Sequence, residues 1–216
     1  REIDAACAST GADAIVAVGG GTVIDVAKMV VRLRRTPLMV VPSALSSDGI
    51  ASPISVLANE DGKRMSLASG IPSCLFVDLD LVREAPRHLT LAGVGDVLSN
   101  VSALLDLAEF EHLYEEPVDG FAKVLSKSAF ELVMTLKSRD LESLDGYRRL
   151  AMGLVLSAMA MSFAGNSLPC SGAEHLISHA MDSHGVGSGV HGHQVALATL
   201  YCLALRGKSE DDQLTR

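Results

Sequence analysis

Five of the seven histidines fall in one stretch, "SGAEHLISHAMDSHGVGSGVHGHQV", from Ser171 to Val195: His175, His179, His184, His191 and His193. Imidazole is the commonest metal ligand and the side chain best suited to moving protons near neutral pH. His175 and His179 stand four residues apart, so on a helix they face the same side one turn apart. His191 follows His175 by 16 residues, in the Gly-flanked "VHGHQV". Imidazoles on adjacent elements can share a cation, with a carboxylate often as third ligand. The competing reading is ordinary structural or solvated histidines. His184 sits in the Gly- and Ser-rich "SHGVGSGV" and reads as solvated loop, and His193 has no assigned role.

Three other stretches have residue types that suit a site. "VGGGTVIDVAK" (Val18 to Lys28) is a Gly-rich strand-to-helix turn. Glycines let a backbone approach phosphate closely, and the helix N-terminus offers free N–H groups and a positive dipole end. It is neither GxGxxG nor a P-loop, so a tight turn without ligand is the alternative. "PSALSSDGIASP" (Pro42 to Pro53) follows a strand directly, where α/β proteins hold ligands; an ordinary Ser/Asp turn is the alternative. "GVGDVLSN" (Gly93 to Asn100) puts Asp96 near the expected N-terminus of a helix, where a carboxylate also serves the helix dipole.

The elements needed to position these residues are legible. "DAIVAV" (Asp13 to Val18) reads as a buried strand and "TVIDVAKMVVRLRR" as a helix with a basic C-terminus. "PLMVVPS" (Pro37 to Ser43) and "SCLFVDLDLV" (Ser73 to Val82) read as further strands. "SPISVL" and "RMSLAS" flank "ANEDGKR", in which Asp61-Gly62 signals a hairpin turn. Strand, helix, strand implies a parallel α/β layer. From about Leu89 onward only helical patterns follow, so two domains are expected, 1–88 and 89–216, meeting after Pro86 with the site in the cleft between them.

Composition excludes several classes of protein. The 216 residues are 48% hydrophobic, enough for one large core or two modest ones. A formal net charge of −8 and only 4% aromatics argue against nucleic acid as partner. Cys7, Cys74, Cys170 and Cys202 form no CxxC pair, which suits free thiols in a reduced cytoplasm. "REIDAACAST" is polar, reading as the tail of an amphipathic helix rather than a secretory signal. The apolar run Leu150 to Gly165 is short for a membrane span and reads as a core helix.

Together, "GGGTVIDVAK", "PSALSSDGIASP", "AGVGDVLSN" and "GNSLPCSGAEHLISHAMD" with "HGHQV" resemble, in order, the iron-containing alcohol dehydrogenase superfamily, which includes dehydroquinate synthase. Within it the resemblance is greatest to the sn-glycerol-1-phosphate dehydrogenases. It implies a Rossmann-like NAD- or NADP-binding domain, a helical domain and one divalent metal in the cleft: zinc, nickel or iron. It assigns Asp96, His175 and His191 as metal ligands. Gly19, Gly20, Gly21 and Thr22 would hold the cofactor pyrophosphate, with Asp25 and Lys28 as the D-x-x-K that follows. Ser43 and Ser46 would touch the cofactor, Asp48 would lie near substrate hydroxyls, and His179 near substrate and nicotinamide. The implied reaction is hydride transfer between NAD(P) and a glycerol-like alcohol, with a polyol or polyol phosphate as substrate, in a cytoplasmic homo-oligomer without a membrane span. A dehydroquinate-synthase-like cyclase and an inactive fragment are the alternatives. Family members are longer, so both domains are expected to be truncated, at the N- and C-terminal ends respectively. Leu168, in "SLPCSGAEH", stands where glycerol-1-phosphate dehydrogenases tend to carry Arg; a leucine cannot pair with phosphate.

Overall fold

In the computed structural model, residues 2–59, 62, 64–187 and 189–207 are described. Helix α1 (Glu2–Thr10) leads into strand β1 (Ile15–Gly19), helix α2 (Gly21–Arg34) and strand β2 (Leu38–Pro42). An antiparallel hairpin follows, β3 (Ile54–Ala58) with β4 (Arg64–Ala68), and then a short strand β5 (Cys74–Leu75). Strands β1, β2 and β5 form a parallel sheet in that order, with Ile15 opposite Leu38 and Met39 opposite Cys74. Helices then run on as α3 (Leu79–Arg83), α4 (Arg87–Leu98), α5 (Asn100–Tyr114), α6 (Gly120–Met134), α7 (Leu144–Ala164), α8 (Ala173–Ser183) and α9 (His191–Leu205). This is the expected order of parallel-sheet layer and helical part.

Three expectations need correction. The strand expected over Ser73 to Val82 ends at Leu75. Asp78 stops it: its side chain accepts from Asp80 N and Leu81 N and so N-caps α3. The helix expected from Gly93 begins earlier, at Arg87 behind Pro86, and ends at Leu98, with Ser99 between α4 and α5. Asp96 therefore stands near the C-terminal end of α4, not in its first turn, so favourable interaction with the helix dipole cannot explain it. Helix α1 has no buried residue and hence no core-facing stripe. Of the expected turn, Gly62 adopts φ +76° as a hairpin glycine does, and Asp61 lies outside the described residues.

One apolar cluster spans the sheet and the helices. Ile24 of α2, Leu38 and Val40 of β2, Val97 of α4, and Leu150 and Leu154 of α7 are all buried within it. Each such side chain contributes about 1.5–3 kcal/mol on leaving water. Among the described residues one stretch, Arg87–Tyr114, is apolar and long enough to cross a membrane by those measures alone. It is two helices meeting at Ser99, and it includes the buried Asp96.

Glycines set how closely α4 approaches its neighbours. A Cβ on Gly192 of α9 would lie 1.9 Å from the Ala92 carbonyl oxygen, and one on Gly95 would lie 2.4 Å from the Gly192 carbonyl oxygen. A Cβ on Gly93 would lie 2.0 Å from the Leu45 carbonyl oxygen, in the loop after β2. Helix α4 thus touches α9 and that loop backbone to backbone. Gly192→Ala must push the two helices apart. It is expected to lower the unfolding free energy by about 3 kcal/mol, read from urea denaturation; an unchanged midpoint would show that the helix contact tolerates a methyl group.

Candidate active site

The cleft is a cavity of about 740 Å³ between the β3–β4 hairpin, the loop after β2, and helices α8 and α9. Its lining includes Gly21, Thr22, Asp25, Ser46, Asp48, His175, His179 and His191, eight of the thirteen residues singled out from the sequence. The other five, Gly19, Gly20, Lys28, Ser43 and Asp96, do not line it.

Asp96, His175 and His191 converge. One ligand atom from each lies within 4.8 Å of the other two. His191 Nε2 stands 3.5 Å from Asp96 Oδ1, and the rings of His175 and His191 are 5.0 Å apart. The three come from different helices, α8 for His175, the first residue of α9 for His191, and α4 for Asp96. The glycine contacts described above bring α4 and α9 close enough for Asp96 and His191 to meet.

The outer nitrogens of both imidazoles are engaged. Glu174 Oε1 accepts from His175 Nδ1 at 2.9 Å and from the Gly172 N–H at 2.7 Å. Burial opposes ionisation of Glu174, but bonding to His175 and Gly172 outweighs it, and its pKa lies below the ordinary value. An ionised Glu174 obliges His175 to carry its proton on Nδ1, leaving Nε2 as the free lone pair. Ser178 Oγ lies 3.3 Å from His191 Nδ1 and leaves Nε2 of that ring toward Asp96. Neither Glu174 nor Ser178 was singled out from the sequence. Glu174 is adjacent to His175, but only the fold shows that it is fully buried against it.

Burial governs the electrostatics. It pushes the Asp96 carboxyl up to about 7, against a hydrogen bond from the Asp48 N–H to Asp96 Oδ2 at 2.8 Å. Burial, then the neighbouring Asp96 charge, pushes Asp48 up to about 7. Ser157 Oγ partly offsets this by donating to Asp48 Oδ2 at 2.9 Å. Burial, then His175, pushes His191 down to about 3, and lowers His179 in the same way. The centre is therefore rich in lone pairs and poor in positive charge. One carboxylate and two imidazoles with anchored Nδ1 atoms are a donor set that suits a divalent transition-metal ion and leaves coordination positions open. The ring of His179 lies 6.4 Å from that of His191 and on the cleft wall. His184 is exposed, and His193 Nε2 meets the His88 carbonyl at 2.9 Å, away from the centre.

The glycine turn has the form expected of an anion cradle. Gly20 precedes α2 with no side-chain cap, and the space where a Gly21 Cβ would stand is open. The first N–H groups of α2 are therefore free to face the cleft. Gly19 is tied to the next loop by the Ser43 N–H, which donates to its carbonyl at 2.9 Å. Lys28 is fully buried and does not line the cleft. Its Nζ donates to Gly49 O at 2.9 Å, Ser52 O at 3.1 Å and Ile54 O, with Asp25 3.5 Å away. Burial lowers the Lys28 pKa and raises that of Asp25, each against the attraction of the other. Lys28 thus fastens the loop that carries Asp48. Lys28→Met would leave those carbonyls and Asp25 buried without their cation. A loss of at least about 3 kcal/mol is expected, measured by urea unfolding, and a variant of wild-type stability would deny the lysine this role.

The chain is similar to several known proteins. Residues 1–86 match the model of the iron-containing alcohol dehydrogenase family. The glycerol-1-phosphate dehydrogenase [NAD(P)+] of Archaeoglobus fulgidus is 38% identical over 189 residues, covering 87% of this chain and 54% of the relative. That of Methanosphaera stadtmanae is 36% identical over 200 residues, covering 92% of this chain and 57% of the relative. The chain thus spans little more than half the length of these relatives. The fold is shared with a probable glycerol dehydrogenase from Sinorhizobium meliloti, at TM-score 0.78 and 22% identity, over 98% of this chain and 61% of that one. It is shared also with a sulfoacetaldehyde reductase from Bifidobacterium kashiwanohense in complex with NAD+, at TM-score 0.76 and 18% identity, over 95% of this chain and 57% of that one.

Proposed function

We propose that this chain, which belongs to the iron-containing alcohol dehydrogenase family, interconverts sn-glycerol 1-phosphate and dihydroxyacetone phosphate with NAD(P) as hydride carrier. The carrying observation is the convergence of Asp96, His175 and His191 within 4.8 Å. The glycerol-1-phosphate dehydrogenase activity of the relatives supports the substrate class. The division into a cofactor domain, 1–88, and a metal-binding domain, 89–216, belongs to the same reading, as do zinc as the metal, a homo-oligomeric state and a cytoplasmic location. The four cysteines are all unpaired, which supports that location.

When bound, a divalent cation supplies polarisation of the substrate oxygen, and a nicotinamide gives or takes the hydride. The chain's own groups do the rest. Asp96, His175 and His191 hold the cation, with Glu174 and Ser178 fixing the ring orientations. Gly19, Gly20, Gly21 and Thr22 at the start of α2, with Asp25, Ser43 and Ser46, receive the dinucleotide. Lys28 serves it indirectly, by holding the loop. Asp48 and His179 stand at the reacting end and carry the substrate proton. The raised pKa of the Asp48 carboxyl, about 7, lets it hold or release a proton near neutrality.

Asp96→Ala and His191→Ala are each expected to abolish stoichiometric metal in the purified protein, read by elemental analysis. Retention of metal in both would remove the basis of the assignment. Oxidation of sn-glycerol 1-phosphate with net NADH formation tests the reaction itself, since a cyclase that recycles its cofactor yields none.

The pH dependence of metal binding has a definite sign. A carboxyl whose pKa is raised to about 7 must lose its proton to accept a cation, so affinity climbs with pH up to about 7 and then levels. His191, pushed down to about 3, is already neutral over that range and adds no slope. Zinc affinity measured by calorimetry is expected to be about tenfold weaker at pH 6 than at pH 8. Equal affinities at both values would contradict the buried-carboxyl account.

A further inference from the structure

The cleft is poor in positive charge for a phosphorylated substrate. Asp25, Asp48 and Asp182 line it, and Arg64 is the single lysine or arginine among its described lining residues. Lys28 is fully buried and committed to carbonyl groups. Leu168 is absent from the described lining altogether. Among the described lining residues, the cationic side chain placed to meet an anionic substrate end stands on the hairpin.

Strand alternation places Arg64 and Ser66 of β4 on the same face, and both line the cleft, while Met65 between them is 45% exposed. The guanidinium of Arg64 reaches across to the helical side. Its Nη1 lies 3.7 Å from Asp182 Oδ2 on α8 and 3.4 Å from the Gly189 carbonyl oxygen, before α9. Both contacts are longer than the roughly 2.7–2.9 Å of a good charge-assisted bond, and both use the same nitrogen. Asp182, by contrast, is anchored, because its Oδ1 accepts at 2.9 Å from Nε2 of the buried Gln194. The pair is therefore a fixed acid with a loosely held arginine on a long, flexible stem.

We infer that Arg64 is the recognition residue for the anionic end of the substrate, a phosphate monoester on a short polyol, and that it exchanges Asp182 for the phosphate oxygens when substrate binds. The inference rests on the proposed function and names the residue that sets its substrate class. A planar guanidinium matches two phosphate oxygens at once, which a single distant carboxylate oxygen does not. The Ser66 hydroxyl stands on the same wall as a second donor. Arg64 lies beside Asp182 and Gly189, whereas the cofactor cradle is the start of α2 at Gly21 and Thr22.

Arg64→Met and Asp182→Asn test this in the metal-loaded protein. For Arg64→Met, the ratio of kcat/KM for dihydroxyacetone phosphate to that for dihydroxyacetone should fall about 10- to 100-fold, the loss of one charged hydrogen-bonding partner. Asp182→Asn frees the arginine of its competitor and should move the ratio the other way. A fall in both kcat/KM values in equal proportion, or an unchanged ratio in both variants, would overturn the inference. So would a weaker Kd for NAD+ or NADP+ with the ratio unchanged, which would place Arg64 at the cofactor. If the wild-type protein turns over neither ketone, the proposed function fails, and calorimetry still decides Arg64. In that case sn-glycerol 1-phosphate should bind more tightly than glycerol to the wild type, and Arg64→Met should erase the difference. Equal binding of the two ligands by the wild type would remove the subsite.

Discussion

Everything in the cleft depends on how closely α4 lies against α9 and against the loop after β2. At Gly93, Gly95 and Gly192 the approach is backbone to backbone, with no space for a methyl group. Interiors are packed as tightly as organic crystals, so one extra methylene here cannot be absorbed locally. That approach puts Asp96 within 3.5 Å of His191 and lets the Asp48 N–H reach Asp96 at 2.8 Å. The glycines contribute no chemistry themselves. They fix the distance at which the chemistry-bearing residues meet.

The contact has an electrostatic consequence. It buries Asp96 and brings Asp48 against it, and among the described residues neither pairs with a lysine or arginine; Lys28, the nearby buried ammonium, is committed to three carbonyl groups and to Asp25. Burying a carboxylate without a counter-charge is costly, and the raised pKa values of Asp48 and Asp96 are the direct expression of that cost. A divalent cation held by Asp96, His175 and His191 would reverse the sign of the local field and make the ionised form the stable one. A centre that is unfavourable for charge when empty and favourable when loaded is suited to binding a cation selectively and to keeping protons mobile around it.

The two sides of the cleft carry different tasks. The sheet side offers backbone N–H groups at the start of α2 and, through the hairpin, Arg64. The helical side offers Asp96, His175 and His191, proposed to hold the cation, and His179, proposed to carry the substrate proton. Arg64 reaches from the hairpin to the helical side, by its pairing with Asp182. The proposed substrate-recognition and metal-binding groups thus share α8, which carries His175, His179 and Asp182 on successive turns. The spacing of four residues between His175 and His179 is what sets both on the cleft side.

Much of this was legible in the sequence. The parallel strands, the glycine turn, the hairpin and the run of helices follow from period, turn chemistry and breakers, all of which are local. The histidine pair on α8 and His191 after the Gly/Ser loop stand out by type and spacing. What the sequence misjudged is also local in origin. The run ending at Val82 is apolar enough for a strand, but Asp78 caps a helix within it. The helix of Asp96 starts earlier than its glycines suggest, so the carboxylate lies near the wrong end to serve the dipole. Tertiary structure alone decided the rest. That Lys28 faces three carbonyls, that Glu174 fixes the tautomer of His175, and that Arg64 meets Asp182 across the cleft are consequences of packing between elements distant in the chain. Residue type and spacing determine which groups are capable of chemistry. Which of them meet, and at what charge, is set by how closely the helices and loops can approach and by how much water that approach excludes.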